Sequence, residues 1–391
     1  MHSLEIKNIG QIRKASLTFG DLTVLVGPQA SGKSIALQWL KLLQDTGLIQ
    51  EQLHNYGLDY GGRLPDFLDV YFGEGMRSIW RDGSEVQVDG KAVDVGKRIG
   101  RKQPTREETA FLIPAQRVLA LATGWPKPFT AYAAGDPYAV RAYSEKLRLL
   151  MEQEFSGSGP LFPRANRLKA DYRKLLQDSV FANFRLSVDK VQSQKRLVLG
   201  PEKGSALPYM VWSAGQREFV PLLLGLYWLM PPARVARRGD IDWVVIEELE
   251  MGLHPRAIAT VLLIVLELLA RGYRVCLSTH STQVLELVWA WQALRQSKMK
   301  PVDLLRLFAA PSSQSLREMA TTVMGKSSKV YYFDPSGIVQ DITALSPTSD
   351  AALEASWGGL LDFTTRANDA VARAAVNAPN YLGTDLAAGA R

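Results

Sequence analysis

The chain has 391 residues, 47% hydrophobic and 22% charged, with a net charge of +7. That balance excludes wholesale disorder and allows two or three domains, or one large α/β domain with insertions. The single cysteine, Cys276, excludes an intrachain disulfide, and with four histidines it cannot build a Cys/His zinc framework.

The predicted elements begin with strands. Leu4–Lys7 and Ile12–Phe19 alternate apolar and polar residues, the pattern of half-buried strands. The first twenty residues carry no apolar signal core, so a cytoplasmic protein is expected. Leu22–Val26 has few polar groups and predicts a strand buried on both faces. It ends at Gly27, and from Ser34 a helical spacing follows in Ile35, Leu37, Leu40 and Leu43. Between 60 and 120 the pattern is mixed, with strands predicted at Leu68–Phe72 and Val86–Val88. Lys91–Arg106 carries Lys91, Lys97, Arg98, Arg101, Lys102 and Arg106 against Asp94 alone. Charged helices are predicted over 138–155 and 164–180, separated by Ser156–Pro160, and strand-like alternation returns over Phe184–Val198. An apolar helix over 219–230 leads into a Pro/Arg loop, Pro231–Asp240. Trp243–Ile246 is a second buried strand, Ala257–Ala270 a helix and Arg274–Ser278 a third strand. The remainder is mixed and ends in an Ala-rich tail. No apolar run reaches the roughly 18–20 residues that span a membrane, so no membrane partner is expected.

Four segments carry chemistry. Gly27, Pro28, Gln29, Ala30, Ser31, Gly32, Lys33 and Ser34 match G-x-x-x-x-G-K-[ST] after a buried strand and at the start of a helix. Backbone N–H groups there, with the helix dipole, favour a phosphate; Ile35 continues the same first turn. Lys33 would reach the β- and γ-phosphates and Ser34 would hold Mg²⁺. Ser213-Ala-Gly-Gln216 precedes the apolar helix, where Ser213 can cap and Gly215 lets backbone approach a phosphate. Trp243–Glu248 is a strand ending in two carboxylates; Glu247 fits a metal ligand and Glu248 the group that orients attacking water. Cys276–His280 ends a strand at a polar tip, where His280 could touch a γ-phosphate.

In this order, the segments resemble those of ABC-type ATPases of the SMC, RecF and OLD branch, within the AAA-family ATP-binding proteins. Ser213–Gln216 is similar to the signature motif. Ile246–Pro255 resembles the branch's Walker B and D-loop segment, I-E-E-P-E-x-x-L-H-P, with Leu249 where Pro is usual. Thr279-His280-Ser281 resembles the switch histidine. Ile113–Arg117 resembles the I-P-A-x-R element, which offers Gln116 as the Q-loop contact to nucleotide and metal, and Arg117 as an alternative phosphate or interface contact.

The resemblance covers about residues 1–290 and implies an α/β fold: a P-loop NTPase, ABC-type head with an antiparallel β-lobe and an inserted helical subdomain. It divides the chain into an N-terminal lobe (1–130), an insertion (131–200), a C-terminal lobe (201–300) and a mixed extension (301–391). About 180 residues separate Ser34 from Ser213, too few for long coiled-coil arms and many more than a transporter energy subunit needs. Residues 300–391 hold no Asp-x-Asp, so no TOPRIM nuclease is expected. The implied cofactors are ATP and Mg²⁺, with Lys33, Glu248 and His280 as the catalytic group. The implied partner is a second copy, bridged by ATP across the signature motif. The implied function is a slow, regulated ATPase that senses a trigger and controls a separate effector from a neighbouring gene, in prokaryotic anti-phage defence. The alternative is a RecF-like repair ATPase, with DNA held by Lys91–Arg106 and Arg164–Lys174. Trp212 and Trp357 are read as packing residues, and Arg13 and Lys14 as candidates near an adenine.

Overall fold

The structure is a computed structural model, which describes residues 1–121, 123–155, 159–191, 194–231 and 237–377. Parts of the Ser156–Pro160 separator and of the Pro231–Asp240 loop, and the Ala-rich tail, lie outside the described residues.

β1 (Ser3–Ile9) and β2 (Ile12–Thr18) form a hairpin, with Ile6 opposite Ala15 and Ile9 opposite Ile12 on its buried face. β3 (Leu22–Val26) is buried at all five positions, as its composition predicts. It feeds α1 (Lys33–Asn55), whose backbone breaks at Asp45. The break has a cause in side-chain chemistry. The Asp45 carboxylate accepts from the Thr109 N–H, the Thr109 hydroxyl, the Ala110 N–H and the buried Lys41 ammonium.

α2 (Leu64–Phe72) covers the segment predicted as a strand at Leu68–Phe72. Pro65 starts the helix in its first turn, and Phe67, Leu68, Tyr71 and Phe72 form one buried face. Five apolar-rich residues were too short a window to separate the two periods. β4 (Trp80–Val88) and β5 (Lys91–Ala92) complete a four-stranded antiparallel lobe, in the order β2-β1-β4-β5. α3 (Val95–Gly100) follows, capped by Asp94.

β6 (Ala110–Ile113) returns the chain to the centre, and α4 (Tyr138–Gln153) opens the insertion. The insertion holds more than helices. β7 (Gly159–Phe162), β8 (Arg185–Val191), β9 (Gln194–Gly200) and β10 (Leu207–Pro208) form a second antiparallel sheet, in the order β10-β9-β8-β7. The helix predicted over 164–180 is confined to α5 (Ala170–Leu176), continued by a π-helical turn at Gln177–Phe181. Residues before it form a loop whose Ala165 and Leu168 carbonyls take the Arg173 guanidinium.

α6 (Ala214–Leu229), β11 (Trp243–Ile246), α7 (Pro255–Ala270), β12 (Arg274–Thr279) and α8 (Thr282–Gln296) build the second half of the core. α9 (Pro301–Arg306) and α10 (Gln314–Met324) lead to β13 (Ser328–Phe333) and β14 (Val339–Asp341), then α11 (Ala352–Ala355) and α12 (Asp362–Asn377). The central sheet runs β14-β13-β3-β12-β11-β6, parallel throughout except for the edge strand β14. The stretch after residue 300 thus contributes to the same sheet as the phosphate loop.

Alternation along the strands divides the core. Val24, Val26, Ile113, Val244, Ile246, Val275 and Leu277 face the cluster made with α6, α7 and α8. Leu25, Leu112, Trp243, Val245 and Cys276 face α1 and the antiparallel lobe. Two covered faces explain the nearly unbroken apolar strands. The fold is the expected mixed α/β class, with a P-loop at the carboxyl edge of a parallel sheet. Among the described residues no helix is long and apolar enough to cross a membrane.

Candidate functional site

Parallel strands bring their carboxyl ends to one edge, and ligands of open α/β sheets sit there. β12 lies between β3 and β11, so His280 falls between the phosphate loop and the two carboxylates. β6 lies beyond β11 with Ile113 opposite Ile246, which brings Ala115–Arg117 against the acidic turn.

The phosphate loop depends on close approaches. A Cβ on Gly27 would stand 2.4 Å from the Phe333 carbonyl oxygen, and one on Gly32 2.6 Å from Ile12 Cγ1; Gly27 (φ +148) and Gly32 (φ +98) also hold left-handed backbone. α1 has no side-chain cap and no acidic residue in its first turn, leaving its leading N–H groups to an anion. The buried Lys33 ammonium folds back onto the loop, donating to the Gly27 carbonyl at 2.8 Å and the Pro28 carbonyl at 2.6 Å. Burial lowers its pKa, while Glu248 and Glu250 act in the opposite sense.

Glu247 is buried, and burial pushes its carboxyl up to about 7 against the Ala115 N–H that donates to Oε2 at 3.1 Å. Its Oε1 has no hydrogen-bond partner. An orphaned buried carboxylate oxygen at the carboxyl end of β11 fits a hard, oxygen-seeking cation such as Mg²⁺. Glu248, next in sequence, adopts φ +44, a left-handed conformation rare for a residue with a side chain. Its N–H donates to the Ser278 hydroxyl at 3.2 Å. Its Oε1 lies 3.8 Å from Nε2 of His280, and that nitrogen is buried with no hydrogen-bond partner. The His280 N–H donates to the carboxylate of Glu250.

The structure therefore brings together Lys33, Glu247, Glu248 and His280. Gln116 sits exposed beside them, one residue past Ala115. Arg117, offered as an alternative phosphate or interface contact, is fully buried within this chain. Its guanidinium donates to the carbonyls of Glu218, Glu247 and Glu248.

Ser213, Gly215 and Gln216 occupy a separate groove of about 250 Å³ with Ser179, Gly252 and His254; no phosphate-loop residue lines it. Ser213 and Gln216 form a reciprocal capping box: Gln216 N–H donates to Ser213 Oγ at 3.3 Å, and Ser213 N–H to Gln216 Oε1 at 3.1 Å. Gly215 has a use inside the subunit, since a Cβ there would stand 2.8 Å from the Gly252 carbonyl oxygen. The absence of a side chain lets α6 rest directly on the turn after Glu248.

Trp212 and Trp357 are buried, with their indole N–H groups donating to the Leu207 and Leu345 carbonyls. The Arg13 and Lys14 N–H groups donate to the Gly337 carbonyl. Of the basic run Lys91–Arg106, Arg98 is engaged internally with Thr46 and the Leu43 carbonyl and the others are exposed. In Arg164–Lys174, Arg167 pairs with Glu154, Lys169 with Glu267, and Arg173 with loop carbonyls. Glu250, which accepts from the His280 N–H, has no role read from the sequence, although it lies inside the Ile246–Pro255 segment. A cavity of about 670 Å³ between the end of α1 and residues 57–62 and 99–102 includes none of the site residues.

The bacterial ABC transporter cassette in its dimeric form is 10% identical, with 86% of this chain and 98% of that chain covered and a TM-score of 0.35. For the SMC head domain from Thermotoga maritima the values are 13%, 73%, 90% and 0.32. No curated protein matches the sequence. A protein-family profile described as "AAA domain, putative AbiEii toxin, Type IV TA system" matches residues 151–286. The matched region runs from the end of α4 into α8, so it contains the Ser213 groove, the acidic turn and His280, and excludes the phosphate loop.

Proposed function

We propose that the chain binds and hydrolyses ATP, pairs head to head with a second copy when ATP is bound, and uses that cycle to regulate a separate effector in prokaryotic anti-phage defence. One observation carries the pairing: Ser213–Gln216 lies in a groove apart from Lys33, Glu248 and His280. Each chain thus presents two half-sites, and two copies complete both.

In this reading the phosphates take the place of the Gly27 and Pro28 carbonyls as acceptors for Lys33, and the first turn of α1 donates its free N–H groups. Ser34, Glu247 and Gln116 are the residues that would hold Mg²⁺, which neutralises phosphate charge when bound. Glu248 orients the attacking water and His280 meets the γ-phosphate. Ser213, Gly215 and Gln216 of the second copy close the site from the other side. ATP shifts the pairing only by binding the closed arrangement more tightly than the open one.

The matched family description names a toxin of a type IV toxin–antitoxin system. Together with its AAA domain, that supports an ATPase working with a separate partner; we place it in the cytoplasm as part of the same proposal. Exposed Lys91, Lys97, Arg101, Lys102 and Arg106 favour DNA as the second reading. Native mass spectrometry of Glu248→Gln recovered from its host with ATP and Mg²⁺ separates the readings. A dimer with a stoichiometric second protein supports the regulator, and a bare dimer carrying DNA supports the repair ATPase. A persistent monomer overturns pairing.

A further inference from the structure

All three guanidinium nitrogens of Arg117 donate to backbone carbonyls, and the Glu218 carboxylate lies 3.8 Å from Nε. Nε donates to the Glu218 carbonyl at 3.2 Å, Nη1 to the Glu247 carbonyl at 3.0 Å and Nη2 to the Glu248 carbonyl at 3.1 Å, with no exposed surface. Glu218 lies in the second turn of α6, the helix that Ser213 and Gln216 cap. Glu247 and Glu248 lie at the end of β11. One side chain therefore ties the helix behind the Ser213 groove to the turn that carries the water-orienting carboxylate.

The tie is reinforced by contact. Gly215 rests on the Gly252 carbonyl, and a Cβ on Gly252 would stand 3.0 Å from Glu218 Cγ, so α6 and the turn 247–253 pack backbone to backbone. The Glu248 backbone is held at φ +44 between the Ser278 hydroxyl on its N–H side and Arg117 on its carbonyl side. An isolated residue in that region relaxes unless its surroundings fix it.

We propose that Arg117 is a positioning residue that makes the placement of Glu248 depend on the position of α6, so that engagement of the Ser213 groove is felt by the catalytic carboxylate of the same chain. The inference rests on the ATPase reading for its functional consequence and on geometry alone for the linkage. A lysine at 117 keeps the charge but offers one ammonium where a planar fork meets three carbonyls.

The test uses the full chain with Arg117→Lys and Arg117→Met. ATP affinity is measured by equilibrium binding, turnover by phosphate release, and backbone protection by hydrogen exchange without nucleotide. The expected result is a kcat about ten- to a hundredfold lower in Arg117→Met, smaller in Arg117→Lys, with the ATP Kd changed less than about threefold. Exchange should quicken in residues 246–254 and stay unchanged in residues 25–36. Wild-type kcat in both variants, or Kd and kcat worsening together, overturns the proposal. If the wild type shows no hydrolysis, the ATPase reading fails instead, and exchange still decides the linkage: unchanged protection at 246–254 overturns it. Should Arg117→Met not fold, Arg117→Lys carries both readouts.

Discussion

Nε2 of His280 stands 3.8 Å from Oε1 of Glu248, too far for a hydrogen bond and close enough for both to reach one small group between them. The spacing follows from strand order and register, since β12 and β11 are neighbours with Ile246 paired to Leu277. A carboxylate and an imidazole held apart in this way can act on separate ends of one event, water on one side and phosphate on the other.

Glu248→Gln keeps the shape of the turn and removes the carboxylate that the proposed function gives the water-orienting role. Turnover should fall by about two to four orders of magnitude with ATP binding retained. Phosphate release beside equilibrium binding checks it, and equal hydrolysis by wild type and variant would remove Glu248 from that role.

Lys33→Ala removes a buried ammonium that rests on loop carbonyls. ATP affinity should weaken by about tenfold to a hundredfold, the worth of charge-assisted hydrogen bonds. Isothermal titration reads the change directly.

Glu247 gives a pH dependence with a definite sign. Its folded pKa of about 7 lies above the ordinary carboxyl value of 4.5, so the folded chain binds more protons than the unfolded chain between these limits. Its contribution to stability without metal is therefore lost as pH rises from about 4.5 to 7 and stays lost above. Glu247→Gln should be more stable than wild type at pH 8, by a few kcal/mol at most, and nearly equal at pH 4. Metal binding needs the anion, so Mg²⁺-dependent nucleotide affinity should fall by about tenfold between pH 8 and 6 in wild type. Urea titrations and binding isotherms at these pH values test both halves.

Ser213→Arg places a long charged chain at the cap of α6. Nucleotide binding through the phosphate loop should persist, while the ATP-dependent dimer disappears from mass photometry. A dimer in that variant would show that pairing does not pass through Ser213.

Asp45→Ala leaves Lys41 buried with only Glu108 and the Ala110 carbonyl, and strips the Thr109 and Ala110 N–H groups of their acceptor. A loss of about 3–5 kcal/mol is expected in urea unfolding, as for other broken buried pairs. Lys41→Met with Asp45→Ala together should recover part of it.

The edge of the sheet that carries the candidate site was legible because its signals are local. Leu22–Val26, Trp243–Ile246 and Arg274–Ser278 are short apolar runs that each end in polar residues, and a parallel sheet gathers such ends by geometry. Other features depend on partners far along the chain. Ser328–Phe333 lies beside β3, hundreds of positions earlier, and nothing in its own six residues says so. Asp45 reads as a polar residue on a helix until Thr109 and Ala110 arrive against it. Arg117 is visible within I-P-A-x-R but reads as an outward-facing residue, because an arginine is ordinarily a surface or phosphate group. Only the packed structure shows its fork turned toward carbonyls. The Leu68–Phe72 segment failed for a local reason, since a window of five holds little more than one helical turn.

The Phe333 carbonyl occupies the space that a side chain on Gly27 would need. The consequence concerns timing during synthesis. When the ribosome has released every motif from the phosphate loop to His280, the strand that backs Gly27 is still inside the exit tunnel or untranslated. A nascent chain of that length carries the whole catalytic vocabulary without footing for its first phosphate contact. Nucleotide competence should therefore switch on late and abruptly, as β13 slots beside β3, and shortened products should stay silent rather than compete for ATP or for a partner.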